Sequence, residues 1–423
     1  MNYLLSQAII EALDPDNEGN IPDDAFEGLP EDGLLSNDEI EAILDALIIL
    51  ADGDTEQGIL DIDFAAITVG QVDELSQVPS VVIKQRVANE IKNALDPDDE
   101  GKIPADAYEN QDTSGRLTQD ELNALVAALY VLAEDEDTLI TDISYDITVA
   151  QVLELRDGTG TPGEILGVDS LIIQQLISDE VVNLLGVENV PDDAYTDLNK
   201  TRITQAEIIH MIGAIDILDT SIDGSTLVQA LDVDGTTVDQ VSDLRDLPSL
   251  ITKTLITTQI VDQIDPLGEG KIPLDAYSID NPNILSETEL DAMIAALYVL
   301  ANDNGSLPVT DISTDVTVAQ AAKLKDGNGV PGEVLGVDSY IIQQLVSDQV
   351  VTIIGVDNIP DDSYVDPEKS RLTQTEIINM IEAIEILNTT DPATTLVQDL
   401  DVDGTTVDQV AQLNTLPSLI TKT

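Results

Sequence analysis

Thr118-Gln119-Asp120-Glu121-Leu122-Asn123-Ala124-Leu125-Val126-Ala127-Ala128-Leu129-Tyr130-Val131-Leu132 reads as one capped amphipathic helix. The Thr118 hydroxyl and the Glu121 side chain, three residues apart, form a capping box that satisfies two backbone donors of the first turn. Leu122, Leu125, Val126, Leu129 and Leu132 then recur at helical spacing on one face. The chain writes this helix five times. Ser36 with Glu39, Thr204 with Glu207, Ser286 with Glu289 and Thr373 with Glu376 repeat the box, and behind Glu207 the apolar set is Ile208, Met211, Ile212, Ile215 and Leu218.

Ahead of each copy stands a second signature. Ile-Pro-Asp-Asp-Ala-Phe at Ile21 to Phe26 returns as Ile103 to Tyr108, Val190 to Tyr195, Ile272 to Tyr277 and Ile359 to Tyr364. The starting positions 21, 103, 190, 272 and 359 differ by 82, 87, 82 and 87 residues, so every second repeat carries a five-residue insertion. A period that long is a small domain rather than a solenoid turn.

Two more helices flank the capped one in each repeat. The first opens at a serine able to cap it, Ser80, Ser170, Ser249, Ser339 or Ser418. From Ser80 the apolar residues Val82, Val87, Ile91, Ala94 and Leu95 share a face, and the helix stops at Asp-Pro (Asp14-Pro15, Asp96-Pro97, Asp265-Pro266) or at Gly186 and Gly355. Many of these residues are β-branched, so spacing rather than propensity carries the assignment. A third, shorter helix begins with Thr and Gln three apart: Thr68 and Gln71, Thr148 and Gln151, Thr237 and Gln240, Thr317 and Gln320, Thr406 and Gln409. A short segment such as Leu227-Val228 precedes it.

The expected fold is therefore all-α: five tandem small helical domains of about three helices each, arranged as an elongated rod. Their bounds are 1–79, with a truncated first helix, then 80–169, 170–248, 249–338 and 339–417, while 418–423 starts the next repeat's first helix. The connections, such as Asp246-Leu247-Pro248, are not flexible Gly/Ser linkers. Five units of about 30 Å give a rod of roughly 150 Å.

Composition narrows the function classes. A net charge of -67, from 83 acidic against 16 basic residues, repels nucleic acid and anionic membrane surfaces. No cysteine is present, which removes disulfides and thiol chemistry together. Trp is absent and there are two Phe, so a core drawn from the 43% hydrophobic residues is aliphatic. The start, Met1-Asn2-Tyr3-Leu4-Leu5, lacks a signal peptide's basic region, and no apolar run is long enough to span a membrane.

The loop Asn110-Gln111-Asp112-Thr113-Ser114-Gly115-Arg116-Leu117-Thr118-Gln119-Asp120-Glu121 resembles the calcium loop of the EF-hand and dockerin families. The resemblance implies calcium held by Asn110, Asp112, Ser114, the Arg116 carbonyl and a bidentate Glu121. Asn at the first position departs from the pattern. The corresponding loops carry Lys200 and Lys369 where a ligand belongs. Beside the calcium reading stands a structural one, in which Thr118 and Glu121 serve only the capping box.

Two further acidic loops have cation and structural readings. Asp14, Asp16, Glu18, Gly19 and Ile21 follow half of the EF-hand spacing, as do Asp96, Asp98, Glu100, Gly101 and Ile103; Asp265, Glu269, Gly270 and Ile272 keep part of it. The twelfth position is Ala25, Ala107 or Ala276, which favours a helix-stop turn. Asp232-Val233-Asp234-Gly235 and Asp401-Val402-Asp403-Gly404 precede a helix N-terminus, whose dipole favours carboxylates without a metal. The recurring aromatics Phe26, Tyr108, Tyr195, Tyr277 and Tyr364 read as core anchors. His210, the only histidine, is matched by Ala42, Ala124, Ala292 and Asn379, so no shared catalytic or metal position contains it.

No catalytic carboxylate pair stands out, and the chain reads as a non-enzyme. Its acidic, cysteine-free repeats resemble the extender regions of large microbial surface adhesins. That resemblance implies an extracellular or cell-surface spacer that holds binding domains at a distance or assembles into a fibre. A calcium-dependent, dockerin-like binding module and an intracellular halophile scaffold are the alternatives. Pro417 to Thr423 matches Pro248 to Thr254, the first turn that the helix at Met1 lacks. The expected partners are thus neighbouring repeats of the same or an identical chain, head to tail.

Overall fold

The computed structural model describes residues 2–14, 21–28, 30, 33–53, 66–98, 101–111, 115–133, 135–145, 147–157, 167–187, 190–218, 235–326, 336–387 and 404–422. Among these residues the chain is all-helical, with short 3-10 turns and isolated bridges but no strand. It divides into two compact units, Met1–Leu231 and Asp232–Thr423.

The first unit contains α1 (Asn2–Leu13), α2 (Asn37–Leu50), α3 (Val69–Ser76), α4 (Val81–Leu95), α5 (Gln119–Ala133), α6 (Val149–Asp157), α7 (Leu171–Leu185) and α8 (Gln205–Leu218). The second contains α9 (Val238–Arg245), α10 (Leu250–Ile264), α11 (Glu287–Leu300), α12 (Val318–Asp326), α13 (Tyr340–Ile354), α14 (Gln374–Leu387) and α15 (Val407–Leu413). The division falls inside the stretch expected as the 170–248 repeat, so that repeat's third helix, α9, belongs with the repeat that follows it.

The expected helix starts are in place. Ser80, Ser170, Ser249 and Ser339 cap α4, α7, α10 and α13 through their hydroxyls. Asp96 and Asp265 close α4 and α10, while Gly186 and Gly355 close α7 and α13 at φ 81° and 82°, a left-handed backbone that suits glycine. The β-branched residues of α10 and α13 remain helical because burial outweighs their small propensity penalty: Ile251, Ile256, Ile260, Ile341, Ile342 and Val350 are all fully buried.

Each Ile-Pro-Asp-Asp-Ala signature is a 3-10 turn, as at Asp23–Ala25 and Asp192–Ala194. The aromatic that follows pairs with the residue just before the second helix's cap: Phe26 with Leu35, Tyr108 with Leu117, Tyr195 with Ile203, Tyr277 with Leu285 and Tyr364 with Leu372. Tyr108, Tyr195 and Tyr364 are buried, and Phe26 and Tyr277 are half-buried. In four repeats a hydroxyl from the middle of the first helix takes the N–H of the bridged aliphatic. Ser6 accepts from Leu35 at 3.2 Å, Ser178 from Ile203 at 3.0 Å, Thr257 from Leu285 at 3.1 Å and Ser347 from Leu372 at 3.0 Å.

The third helices are too short to persist alone, and they are built into the following repeat. α3 packs against α4 and α5, α6 against α8, α9 against α10 and α11, and α12 against α14. Backbone bonds join the same partners. Val69 and Gly70 donate to Thr138 and Glu136, and Ile140 donates back to Ile67; Val238 and Asp239 donate to Leu307 and Gly305, and Val309 to Thr236. Neighbouring repeats within a unit therefore share helices and hydrogen bonds instead of meeting as closed domains. The segment around Leu227-Val228 lies outside the described residues.

Candidate functional site at the repeat junctions

The capping box of the second helix is only half formed, and its unused half builds the junction. Ser36, Thr118, Thr204, Ser286 and Thr373 accept the N–H of the glutamate three residues on. Their own N–H groups, which that glutamate was expected to take, already donate to the carbonyls of Ala25, Ala107, Ala194, Ala276 and Ser363 in the 3-10 turn. Four of the carboxylates instead cap the first helix of the next repeat.

Glu121 accepts from Ser170 Oγ at 2.6 Å and from the N–H groups of Leu171 and Ile172 at 2.8 and 3.2 Å. Glu289 accepts from Ser339 Oγ at 2.5 Å and from Tyr340 and Ile341 at 2.8 and 3.1 Å. Glu39 takes the Ser80 hydroxyl with Val81 and Val82, and Glu376 takes Ser418 with Leu419. Each serine thus caps its own helix while donating to a carboxylate some 40 to 50 residues upstream. All four glutamates are buried. Burial pushes the Glu121 and Glu289 carboxyls above their ordinary value, against the hydrogen bonds that pull them down.

A second tie crosses the same junctions. Arg202 makes a two-pronged pair with Asp106, at 3.1 and 2.7 Å, and Arg371 does the same with Asp275, at 3.1 and 2.8 Å. Both arginines are buried. The Arg202 hydrogen bonds hold the Asp106 carboxyl below its usual range despite partial desolvation. Beside this pair lies an open groove of about 1040 Å³ whose lining includes Lys102, Asp106, Asp179, Asn183, Asp197 and Arg202. Burial raises the Asp179 carboxyl, offset by the Gln175 amide and the charge of Lys102. The groove is a mixed-charge cleft open to solvent.

The loop with EF-hand resemblance is placed as follows. Asn110 adopts a left-handed backbone, φ 58° and ψ 15°. Asp112 and Ser114 lie outside the described residues. The Arg116 carbonyl accepts from the Glu109 N–H at 2.8 Å, and its guanidinium binds Glu109 and, from the preceding repeat, Asp24 at 2.9 Å. Glu121 has both oxygens engaged at the junction. Among the described residues no group of three or more His, Asp or Glu gathers to hold a metal.

Asp96 and Asp265, the first residues of the half-EF-hand loops, fold back on their own turns. Asp265 accepts from the N–H groups of Glu269, Gly270 and Lys271 at 2.7, 2.8 and 3.0 Å, and Asp96 from Gly101 and Lys102 at 2.9 and 3.1 Å. Desolvation works to raise the Asp265 carboxyl, but these backbone donors lower it on balance. Asp16, Glu18, Gly19 and Glu100, together with Asp232 to Asp234 and Asp401 to Asp403, lie outside the described residues.

Sequence reading missed the destination of the glutamates, the mid-helix hydroxyls and the Arg–Asp pairs. One signal pointed to them: Arg202 and Arg371 occupy the same repeat position, each 96 residues after an aspartate of the Pro-Asp turn. No family model, curated protein or solved structure matches this chain.

Proposed function

We propose that the chain is a non-enzymatic structural array, a spacer segment of a large extracellular or cell-surface protein that holds binding domains at a distance. The observation that carries this reading is the glutamate junction. Four repeats contribute a buried carboxylate to start the helix of the next, whereas the loop acids that could serve a ligand change from repeat to repeat. A selected binding loop would keep its ligand set; a spacer keeps its joints. The high negative charge fits this role, because self-repulsion keeps long molecules apart and soluble.

Small-angle X-ray scattering tests the reading. A rod of roughly 150 Å has a radius of gyration of about 43 Å, whereas a compact globule of this length has about 22 Å. A value near the compact figure, in salt that screens the charge, overturns the spacer.

A further inference from the structure

In each unit a third helix meets the loop after the next second helix through the same pair of backbone bonds. Val69 and Gly70 donate to the carbonyls of Thr138 and Glu136 at 3.0 and 2.9 Å, and Val238 and Asp239 to those of Leu307 and Gly305 at 3.1 and 2.9 Å. The approach is close, and each copy relieves it with one glycine, on opposite sides. In the first unit the helix supplies Gly70, and a methyl built there would meet Glu136 at 3.4 Å, an ordinary contact. In the second unit the helix supplies Asp239, whose carboxylate accepts from the Tyr298 hydroxyl at 2.6 Å and lies over Gly305. A side chain at 305 would land on that carboxylate and push it off Tyr298.

The exchange has a chemical consequence. By the hydrogen-bond pattern Asn304 and Gly305 stand where the first unit has Asp135 and Glu136, so the glycine directly follows an asparagine. Asn304 is exposed, between the left-handed residues Asn302 and Asp303 and the glycine. Neither its side-chain amide nor the Gly305 N–H has a hydrogen-bond partner among the described residues.

We infer that Asn304–Gly305 is a self-modification site, at which the Gly305 nitrogen closes a succinimide on the Asn304 side chain and so loosens the α9 junction. The bond that forms joins the Gly305 nitrogen to Asn304 Cγ. The bond that breaks is Cγ–Nδ2, and ammonia leaves with the proton from the Gly305 nitrogen. Water then opens the ring at either carbonyl, giving aspartate or isoaspartate. The unpaired N–H and the missing Cβ at 305 favour ring closure. The Asn304 carbonyl opposes it, because it accepts from Leu307 N–H at 3.0 Å; the turn must open locally first, and the rate reads that opening. The two products differ in effect. Aspartate reproduces the Asp135 of the first unit. Isoaspartate adds a methylene to the backbone just before the Gly305 carbonyl, which moves that acceptor away from the Asp239 N–H. The inference holds whether or not the chain is a spacer.

The test ages the full folded chain in mildly alkaline buffer and follows it by peptide mapping, isoaspartate-specific methyl labelling and hydrogen exchange. The tryptic peptide Ile272–Lys323 contains Asn304 and excludes the other Asn-Gly pair, Asn328–Gly329, which lies outside the described residues. Isoaspartate accumulates at 304 with release of ammonia, and the Asp239 amide loses its protection in the modified fraction. N304A, an exposed substitution, shows neither change on ageing. Freshly prepared N304D keeps the Asp239 protection, which separates the added methylene from the added charge. D239G/G305E restores the first unit's arrangement, keeps the junction closed and forms no isoaspartate at 304. An Asn304 that stays intact in the folded chain while the same segment converts as a free peptide overturns the inference. So does isoaspartate at 304 that leaves Asp239 exchange unchanged.

Discussion

The Glu289–Ser339 junction permits a direct measurement of how strongly one repeat starts the next. S339A removes two interactions at once, the cap on Ile342 N–H and the donor to the buried Glu289 carboxylate. Loss of a serine cap costs about 1 kcal/mol, and loss of a hydrogen bond to a buried charge about 1.5–3 kcal/mol; the two overlap, so S339A should destabilise by about 2–4 kcal/mol. E289Q keeps one acceptor oxygen but turns an amide towards a backbone donor, Tyr340 or Ile341, that then lacks its acceptor, at about 1–2 kcal/mol. Relief of a desolvated charge offsets part of that cost. The decisive quantity is the coupling between the two substitutions. If the hydroxyl and the carboxylate act as one device across 50 residues of sequence, the double variant should be less damaged than the sum by about 1–2 kcal/mol. Because an array need not unfold in two states, the assay is native-state hydrogen exchange at the Tyr340, Ile341 and Ile342 amides. Additive effects, or protection at these amides unchanged by S339A, would refute the junction as the start of α13.

Other perturbations give separate checks. D106A strands the buried Arg202 guanidinium and should cost about 2 kcal/mol, whereas R202M leaves a half-exposed aspartate that water can solvate and should cost about 1 kcal/mol; urea melts with the reverse order would contradict the pairing. G336A places a methyl 2.5 Å from the buried side-chain tip of Leu324 and 3.2 Å from the Ala296 backbone of α11, and should lower stability by about 1–3 kcal/mol in the same assay. Glu121, Glu289, Asp179 and Asp348 have raised carboxyls, so their contribution is complete below the ordinary values of 4.5 and 3.8 and is lost as pH rises through the folded values. Asp106 and Asp265 are lowered, so theirs is present above 3.8 and lost as pH falls through the folded values. The thermal midpoint should therefore rise on mild acidification from neutrality and fall at stronger acid, and E121Q/E289Q should flatten the rise. Calcium and magnesium should raise the midpoint equally; a calcium-selective gain of about 2.7 kcal/mol at a hundredfold excess over Kd, lost in N110A, would instead establish the site at Asn110 to Glu121.

The helices were legible because their starts and stops are local chemistry. A hydroxyl three residues before a Gln or Glu, an Asp-Pro or a glycine specifies a terminus without reference to the rest of the chain. The Thr–Gln boxes close reciprocally, as at Thr68 with Gln71 and Thr237 with Gln240. The Ser/Thr–Glu boxes do not, because a carbonyl of the 3-10 turn has already taken the cap's N–H, and only the tertiary arrangement reveals that competitor. The interleaving was hidden for a related reason. The apolar face of α3 announces that it must be covered, but nothing in its sequence says whether α2 or α5 covers it. The candidate calcium loop illustrates the limit in one residue: Glu121 satisfies the twelfth position of a loop pattern and the N3 position of a capping box, and its carboxylate accepts from Ser170, Leu171 and Ile172.

The side-chain details recur at the double period, which makes the pair of repeats the building block. Positions 103 and 272 of the Ile-Pro signature are 169 residues apart, and several features around them coincide. Asp96 and Asp265 nest their turns; Arg202 and Arg371 grip Asp106 and Asp275. A methyl added at Gly167 would lie 3.1 Å from Ala128, and one at Gly336 3.2 Å from Ala296. In each pair the aspartate comes from one repeat and the arginine from the next, so the tie spans two repeats. Arg116 and Asp24 occupy a similar junction but pair differently, with one guanidinium shared between Asp24 and Glu109. In a chain with 16 basic residues against 83 acidic ones, two buried arginines are committed to the same junction in successive pairs. Withdrawing the aspartate from either pair would bury an unpaired guanidinium, which is far more costly than losing an exposed ion pair.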